Sequence, residues 1–311
     1  MQFSPFLIPA HLTESFLFHK IDIPTEKTSG SCAMKHFIHL NDFTRQEAVH
    51  IFALADKLRQ NAGAASLLSG KTIVLFFPGS SIRTRVSFEK GIQQLGGNTI
   101  LFPPAALDKK EDLRDVIGYL ENWADMLIVR HPDLSLLTHM AQYSHIPIIN
   151  AMTAVNHPCE ILSDLYSLSK RDANYADKHY LFVGPKGNIG NTWKAASEWM
   201  GFPFTQCCPK GYEIEGANVC YEIDRAFTGQ DIICTDSIPS TASEDFKGWQ
   251  VTLERLKHAN AGVCFNPCPP FFRGEEVAAD VIDSGYFVGY EFKKHLLEVQ
   301  QSMICYLLGC M

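Results

Sequence analysis

Two doubly wound α/β domains, each built on a parallel sheet, with the active site in the cleft between them, are the architecture this sequence predicts. Three observations lead there. Short apolar runs alternate with stretches of helical period from Asp42 to Phe265, the pattern of strand–helix–strand units. The runs are apolar almost throughout, as strands covered on both faces are. The chain also has 311 residues, roughly twice the ~150 of a typical domain.

Residues 1–33 are loosely patterned and end near Thr28-Ser29-Gly30-Ser31, a linker-like composition, so they read as an extension before a second methionine, Met34. Asp42 and Thr44 can cap a first helix whose apolar stripe is Ala48, Ile51, Phe52, Leu54, Ala55 and Leu58. The run Lys71–Phe77 reads as a buried strand stopped by Pro78-Gly79. Val86, Phe88, Ile92 and Leu95 read as a helix closed by Gly96-Gly97, and Thr99–Phe102 as the next strand. Helices over Leu113–Trp123 and Leu134–Tyr143 alternate with strands over Met126–Val129 and Pro147–Asn150, and a long helix runs from about Cys159 to Ser169. The second half repeats the pattern, with strands at Tyr180–Val183, Phe204–Cys208, Ile232–Thr235 and Gly262–Phe265 and a helix at Thr192–Met200. The expected division is an extension over 1–33, a first domain over 34–165, a second over 166–290, and a C-terminal helix over 291–311 packing back on the first.

Lys plus Arg total 27 and Asp plus Glu 34, a net charge of −7. No excess positive field exists to hold a nucleic-acid backbone or an anionic membrane, so a small anion must be held by a local cluster. The ten cysteines form no paired CxxC knuckle, so no metal site is expected, and reduced thiols in a cytoplasmic protein are the expectation. The longest apolar run, Met303–Leu308, falls short of the ~20 residues of a membrane span. The first segment, broken by Pro9, His11 and Glu14 and without a basic start, does not read as a signal peptide.

In doubly wound folds ligands sit just past the carboxyl ends of strands. The strongest local signal there is Ser81-Ile82-Arg83-Thr84-Arg85, between a strand and a helix. A helix N-terminus offers unpaired N–H groups and partial positive charge, Ser81 and Thr84 add hydroxyls, and an arginine fork binds phosphate in two-pronged fashion. A capped surface helix with two solvated arginines is the structural alternative for that motif alone. Two further stations follow strands of the same half: Arg130-His131-Pro132, and His157-Pro158-Cys159-Glu160.

The run Phe77-Pro78-Gly79-Ser80-Ser81-Ile82-Arg83-Thr84-Arg85-Val86-Ser87-Phe88-Glu89 resembles the Phe-x-x-x-Ser-Thr-Arg-Thr-Arg-x-Ser-Phe-Glu signature of the aspartate/ornithine carbamoyltransferases. Val129-Arg130-His131-Pro132 is similar to that family's second anchor and His157-Pro158 to its third. Order and spacing match from Met34 onward, including Gly211-Tyr212-Glu213 and Thr235-Asp236. The resemblance implies transfer of a carbamoyl group from carbamoyl phosphate to an amine, with no cofactor and no metal. It implies that Ser81, Ile82, Arg83, Thr84, Arg130, His157 and Glu160 bind carbamoyl phosphate. Arg130 and His157 would approach the carbonyl oxygen and, with Asp236, form the catalytic set. It implies a homotrimer as well, with Lys110 in a loop that reaches a neighbouring subunit's site.

Several positions depart from the family pattern. Ile82 stands for Thr, and Glu160 for the Gln that contacts the carbamoyl amide. Asn191 stands where the aspartate enzymes carry an arginine, which removes a counter-charge for a dicarboxylic acceptor. Asp236 follows Thr235 as in the ornithine enzymes, where the aspartate holds an ammonium, but the following tryptophan is missing and Ser237-Ile238-Pro239-Ser240 replaces that loop. Pro267-Cys268-Pro269-Pro270 faces the His-Cys-Leu-Pro motif, and Lys293 stands for an arginine in the final helix. Asn191, Asp236, Ser240, Cys268 and Pro269 are therefore the expected acceptor-binding residues, and ornithine or a related amine the expected acceptor.

Two rivals accompany this reading. Gly184-Pro185-Lys186-Gly187-Asn188-Ile189-Gly190 follows a strand as a dinucleotide loop would. Its spacing is Gly-x-x-Gly-x-x-Gly, however, and no acidic residue ends the next strand at Cys207-Cys208. The stronger rival is a catalytically silent paralogue that kept the anion site and acts as a binding or regulatory protein.

Overall fold

The computed structural model describes residues 34–60 and 62–311. The extension read over 1–33 lies outside the described residues. The first half runs α1 (Arg45–Gln60), β1 (Thr72–Phe76), α2 (Ile82–Gln94), β2 (Asn98–Phe102), α3 (Leu113–Leu120), β3 (Met126–Arg130), α4 (Leu134–Tyr143), β4 (Ile148–Met152) and α5 (Pro158–Arg171). The second half runs β5 (Tyr180–Val183), α6 (Asn188–Met200), β6 (Phe204–Cys207), β7 (Asn218–Cys220), α7 (Ile223–Ala226), β8 (Ile232–Thr235), α8 (Leu253–Leu256), β9 (Cys264–Pro267), α9 (Ala279–Ile282), α10 (Gly289–Lys294) and α11 (Leu296–Leu307).

Both sheets are wholly parallel. The first has the order β2-β1-β3-β4 and the second β7-β6-β5-β8-β9. Each order contains one place where the chain reverses its direction of winding, between β1 and β3 in the first sheet and between β5 and β8 in the second. Crevices open at the carboxyl ends of such strand pairs. The loops after β1, β3, β5 and β8 are therefore the ones the topology offers to a ligand.

Sequence explains the local choices. Thr44 caps α1 reciprocally: its Oγ1 accepts the Glu47 N–H at 3.2 Å, while the Thr44 N–H donates to Glu47 Oε2 at 2.7 Å. Asp42 instead accepts the N–H groups of Ile38 and His39, closing the short turn before it. Asp112 and Asp133 cap α3 and α4 in the same chemical manner. Helix α5 is buried from Pro158 to Leu168, and its apolar residues join one core with both halves of the chain, including Tyr166, Tyr180, Phe182, Phe292 and Met303. Helix α11 lies against α1, α2 and α5.

Three details differ from the sequence reading. Helix α2 begins at Ile82, four residues before Val86, so the Ser-x-Arg-Thr-Arg motif is its first turn. Strand β7 was not expected, because Asn218-Val219-Cys220 is too short to show a period. Strand β2 is largely exposed, with Ile100 and Phe102 open, where a strand covered on both faces was expected. It is the outer strand of its sheet. No helix among the described residues is long and apolar enough to cross a membrane.

Candidate active site

A cavity of about 540 Å3 lies where the two crevices face each other. Its wall takes Ser81, Ile82, Arg83 and Thr84 from α2, Arg130 from β3, His157 and Glu160 from α5, Asp236 from the end of β8, Cys268 and Pro269 from beyond β9, and Lys293 from α10.

At the first station Ser81 occupies the N-cap of α2 and is buried. Arg130 Nη1 donates to Ser81 Oγ at 2.8 Å, which joins the ends of β1 and β3. A shift of register at Val129/Arg130 re-aims the strand end there. Burial pulls the Arg130 guanidinium down, with Glu160 and Cys268 opposing, yet it stays charged at neutral pH. Arg83 is exposed and Thr84 buried in the first turn, where helix N–H groups lack an intrahelical acceptor. Ile82 is an exception, because its N–H already donates to the Ser80 carbonyl at 3.0 Å and its side chain is 61% exposed. Arg85 turns away to pair with Glu89 at 2.9 Å.

The second station is built by a buried polar loop. Asn150 donates to Asn156 Oδ1 at 2.7 Å, and Asn156 and Asn150 both donate to the Ile38 carbonyl. Thr153 Oγ1 accepts the Asn156 N–H at 3.0 Å. This network fixes His157 at the N-cap of α5, where its own N–H donates to Thr192 Oγ1 of α6 at 2.8 Å. Burial lowers the His157 imidazole to about 4, Glu160 raising it while Arg130 and Lys293 assist the lowering, so the ring is neutral at pH 7. Its Nδ1 is buried without a partner. His131 differs in kind: its Nε2 contacts Asp108 at 2.9 Å and its Nδ1 accepts the Asp133 N–H, so it braces the loop after β3.

His157, Glu160 and Asp164 recur at helical spacing along one face of α5. Lys293 Nζ lies 2.6 Å from both Glu160 Oε1 and Asp164 Oδ1, and Asn266 donates to Asp164 Oδ2 at 2.8 Å. Burial pushes the Glu160 carboxyl up, but Lys293 and then His157 more than offset it and hold it below the usual range. Burial pushes Lys293 down, and the two carboxylates reverse this and keep it charged.

On the acceptor side Asp236 follows β8, and its Oδ1 accepts the Ser237 N–H at 2.8 Å. Burial raises its carboxyl to about 6, with Glu276 and Glu160 adding to the rise. Cys268 is buried, and its thiol is pushed well above the ordinary range by that burial. Asn191, Ser240 and Lys110 do not line the cavity. Asn191 donates to the Val155 carbonyl at 3.1 Å, Ser240 opens an exposed turn after Pro239, and Lys110 is exposed in the loop before α3. Asn188, which sequence reasoning passed over, does line it. The residue begins α6 and donates to the Thr153 carbonyl at 2.9 Å, and its Oδ1 accepts the Ile189 N–H. The glycine-rich run after β5 is the available signal, but read as a dinucleotide loop or as the seat of Asn191 it does not single out Asn188. Gly190 in that run serves packing, since a Cβ there would come within 2.7 Å of Phe182 and 2.8 Å of Ile214.

Two facing α/β lobes, with arginine, histidine, Glu160 and a helix N-terminus from the first and Asp236 from the second on one cavity, define a class: this chain belongs to the aspartate/ornithine carbamoyltransferase family, a family of transferase enzymes. The model of that family's carbamoyl-P binding domain matches residues 35–170, and the model of its Asp/Orn binding domain residues 176–307. Among named relatives, the ornithine carbamoyltransferase of Chromobacterium violaceum is 32% identical over 299 residues, covering 89% of this chain and 97% of that protein. The solved ornithine carbamoyltransferase of Burkholderia thailandensis superposes with a TM-score of 0.82 at 28% identity, covering 88% of this chain and 98% of the other. That of Pyrococcus furiosus gives 0.82 at 27%, covering 89% and 98%.

Proposed function

We propose that this protein transfers the carbamoyl group of carbamoyl phosphate to the amine of ornithine or a related compound, giving a ureido product and phosphate. The observation that carries this reading is the meeting of Ser81, Arg83, Thr84, Arg130 and His157 from the first lobe with Asp236 from the second on the lining of one cavity. The family's named relatives act on ornithine by their names, which supports that choice of acceptor.

Ser81, Arg83, Thr84 and the first turn of α2 hold the phosphate by charge and N–H donation. Arg130 and neutral His157 face the carbonyl oxygen. The amine nitrogen attacks the carbonyl carbon, the oxygen gains negative charge, and the C–O bond to phosphate breaks as phosphate departs with the electron pair. Donors aimed at that oxygen lower the barrier by about 3 kcal/mol each. The leaving phosphate accepts the amine proton, so positioning and electrostatics carry the step and no side-chain nucleophile is needed. Asp236 receives the acceptor's second ammonium and orients its amine. Cys268 and Pro269 shape the wall beside it. Residues 34–165 thus hold the donor, 166–290 the acceptor, and 291–311 return to the first lobe.

We propose three copies per assembly, with Lys110 turned toward a neighbouring site. The exposed outer strand β2, with Ile100 and Phe102 open, and the open Ile82 and Val86 of α2 support a covered surface there, since bare apolar edges invite pairing. The nine cysteines among the described residues are all free, seven of them buried, which supports a reducing compartment such as the cytoplasm.

Incubation with radiolabelled carbamoyl phosphate and a panel of amines, ornithine first, tests this directly. Labelled ureido product is the expected result. Binding of carbamoyl phosphate with no product from any amine would establish the silent paralogue instead.

A further inference from the structure

We propose that the groove between α1, α2 and the corner of α10 and α11 is a second ligand site, one that takes a hydroxylated phosphate monoester of the sugar phosphate type and acts on the reaction cavity from a distance. The site stands without the reading of carbamoyl phosphate as donor, and only its effect on that donor rests on the reading.

The groove has a volume of about 650 Å3, within the range of small-molecule sites. Arg59 enters it from the end of α1, Lys90 from α2, and Lys294 as the last residue of α10. All three are exposed, and among the described residues no carboxylate lies within 4.0 Å of any of them. The acids beside them are engaged elsewhere: Asp56 pairs with Lys170, and Glu89 pairs with Arg85 at 2.9 Å. Three like charges gathered on one wall, in a chain whose net charge is −7, repel one another unless an anion lies among them.

The rest of the wall is largely polar. Glu298 supplies one carboxylate, and Gln94 and Gln301 bring amides. Gln301 is buried, and its Nε2 donates to the Gly91 carbonyl at 2.9 Å, which ties α11 to α2. Three cations and one carboxylate leave two positive charges, which a phosphate monoester dianion balances. An arginine fork and two ammonium groups suit the three free oxygens of such a phosphate. A carboxylate only accepts hydrogen bonds and an amide both donates and accepts, so hydroxyl groups on the organic part match what lies beside the cations.

Two helices join this groove to the reaction cavity. Lys294 directly follows Lys293, which lines that cavity, and Lys90 and Gln94 lie on the helix whose first turn carries Arg83 and Thr84. A ligand that bridges Lys90 and Lys294 therefore restrains α2 against α10, and its effect on a ligand in the cavity is returned by the same factor.

Calorimetric titration of the intact protein with ribose 5-phosphate, inorganic phosphate and ribose tests this at 150 mM salt. Saturable binding of ribose 5-phosphate is expected, with inorganic phosphate and ribose each weaker by about tenfold or more. Lys90→Gln and Lys294→Gln, both exposed, are each expected to weaken ribose 5-phosphate by about tenfold and together by about 100-fold, whereas Arg83→Ala leaves it unchanged. Saturating ribose 5-phosphate is further expected to change the affinity of wild type for carbamoyl phosphate by about fivefold, and that of the double lysine variant not at all. Binding that is lost in Arg83→Ala and kept in the lysine variants places the ligand in the reaction cavity and overturns the proposal. Equal affinities for ribose 5-phosphate and inorganic phosphate overturn the ligand class, and a carbamoyl phosphate affinity that responds alike in wild type and double variant overturns the effect. Failure of wild type to bind carbamoyl phosphate would remove the donor reading and the effect together, and the site is then decided by ribose 5-phosphate alone.

Discussion

Asp236 is a side chain whose environment makes a measurable demand. Burial first, then Glu276 and Glu160, raise its carboxyl to about 6, while the Ser237 N–H works the other way. If its ionised form receives the acceptor's ammonium, kcat/KM rises with pH as the group deprotonates through about 6 and flattens above. Asp236→Asn is expected to lose about 100-fold in kcat/KM and to lose that acid limb, read from pH–rate profiles with ornithine. A limb that persists in the variant belongs to another group. The same scale shows what sequence could reveal. Ser81, Arg83, Thr84, Arg130 and His157 were legible because each stands at a strand's carboxyl end or in the turn and first helical turn that follow one, where topology alone directs attention. Asn188 and Asp164 were not, because a residue on a helix faces a cleft or a core only once the helix start and its neighbours are known. Lys293 could be read as a replacement for an arginine, but its two carboxylate partners, one on the cavity and one behind it, come from tertiary packing.

At the level of elements, caps and close approaches set the scaffold. Thr44→Ala removes one half of the reciprocal cap on α1 and is expected to cost about 1 kcal/mol in urea unfolding without touching activity. Gly190→Ala forces a methyl group into Phe182 and Ile214, both buried across from α6. The expected loss is about 1–3 kcal/mol, and activity should suffer too, since α6 carries Asn188 and Thr192 beside the cavity. An unchanged unfolding midpoint for Gly190→Ala would show that the helix can shift freely and that the close packing is not a constraint. Helices and strands in the alternating first half could be read from apolar period and stop signals. Strand β7 and the one-turn helices α7, α8 and α9 could not, because three or four residues show no period.

Residues 34–311 are built on two parallel sheets whose crevices face each other across a shared buried helix. The two parallel sheets follow from the alternation of runs in the sequence, since parallel strands require crossovers and most crossovers here carry helices, the β6–β7 connection being the exception. The exposure of β2 was hidden from such reasoning. An apolar strand covered by its own chain and one covered by a neighbour have the same sequence signature. Sedimentation equilibrium is expected to show three chains per particle, and charged substitutions at Ile100 and Phe102 to dissociate them. A wild-type monomer at micromolar concentration would mean that the edge is managed in some other way.

The central claim is that the first turn of α2, with Arg130 and His157, seats carbamoyl phosphate. Calorimetric titration of that compound into wild type and into Arg83→Ala, an exposed position whose loss leaves the core intact, tests it most directly. Saturable one-site binding by the wild type and an affinity lowered by about 100-fold or more in the variant is the predicted result. Equal affinities would contradict the account.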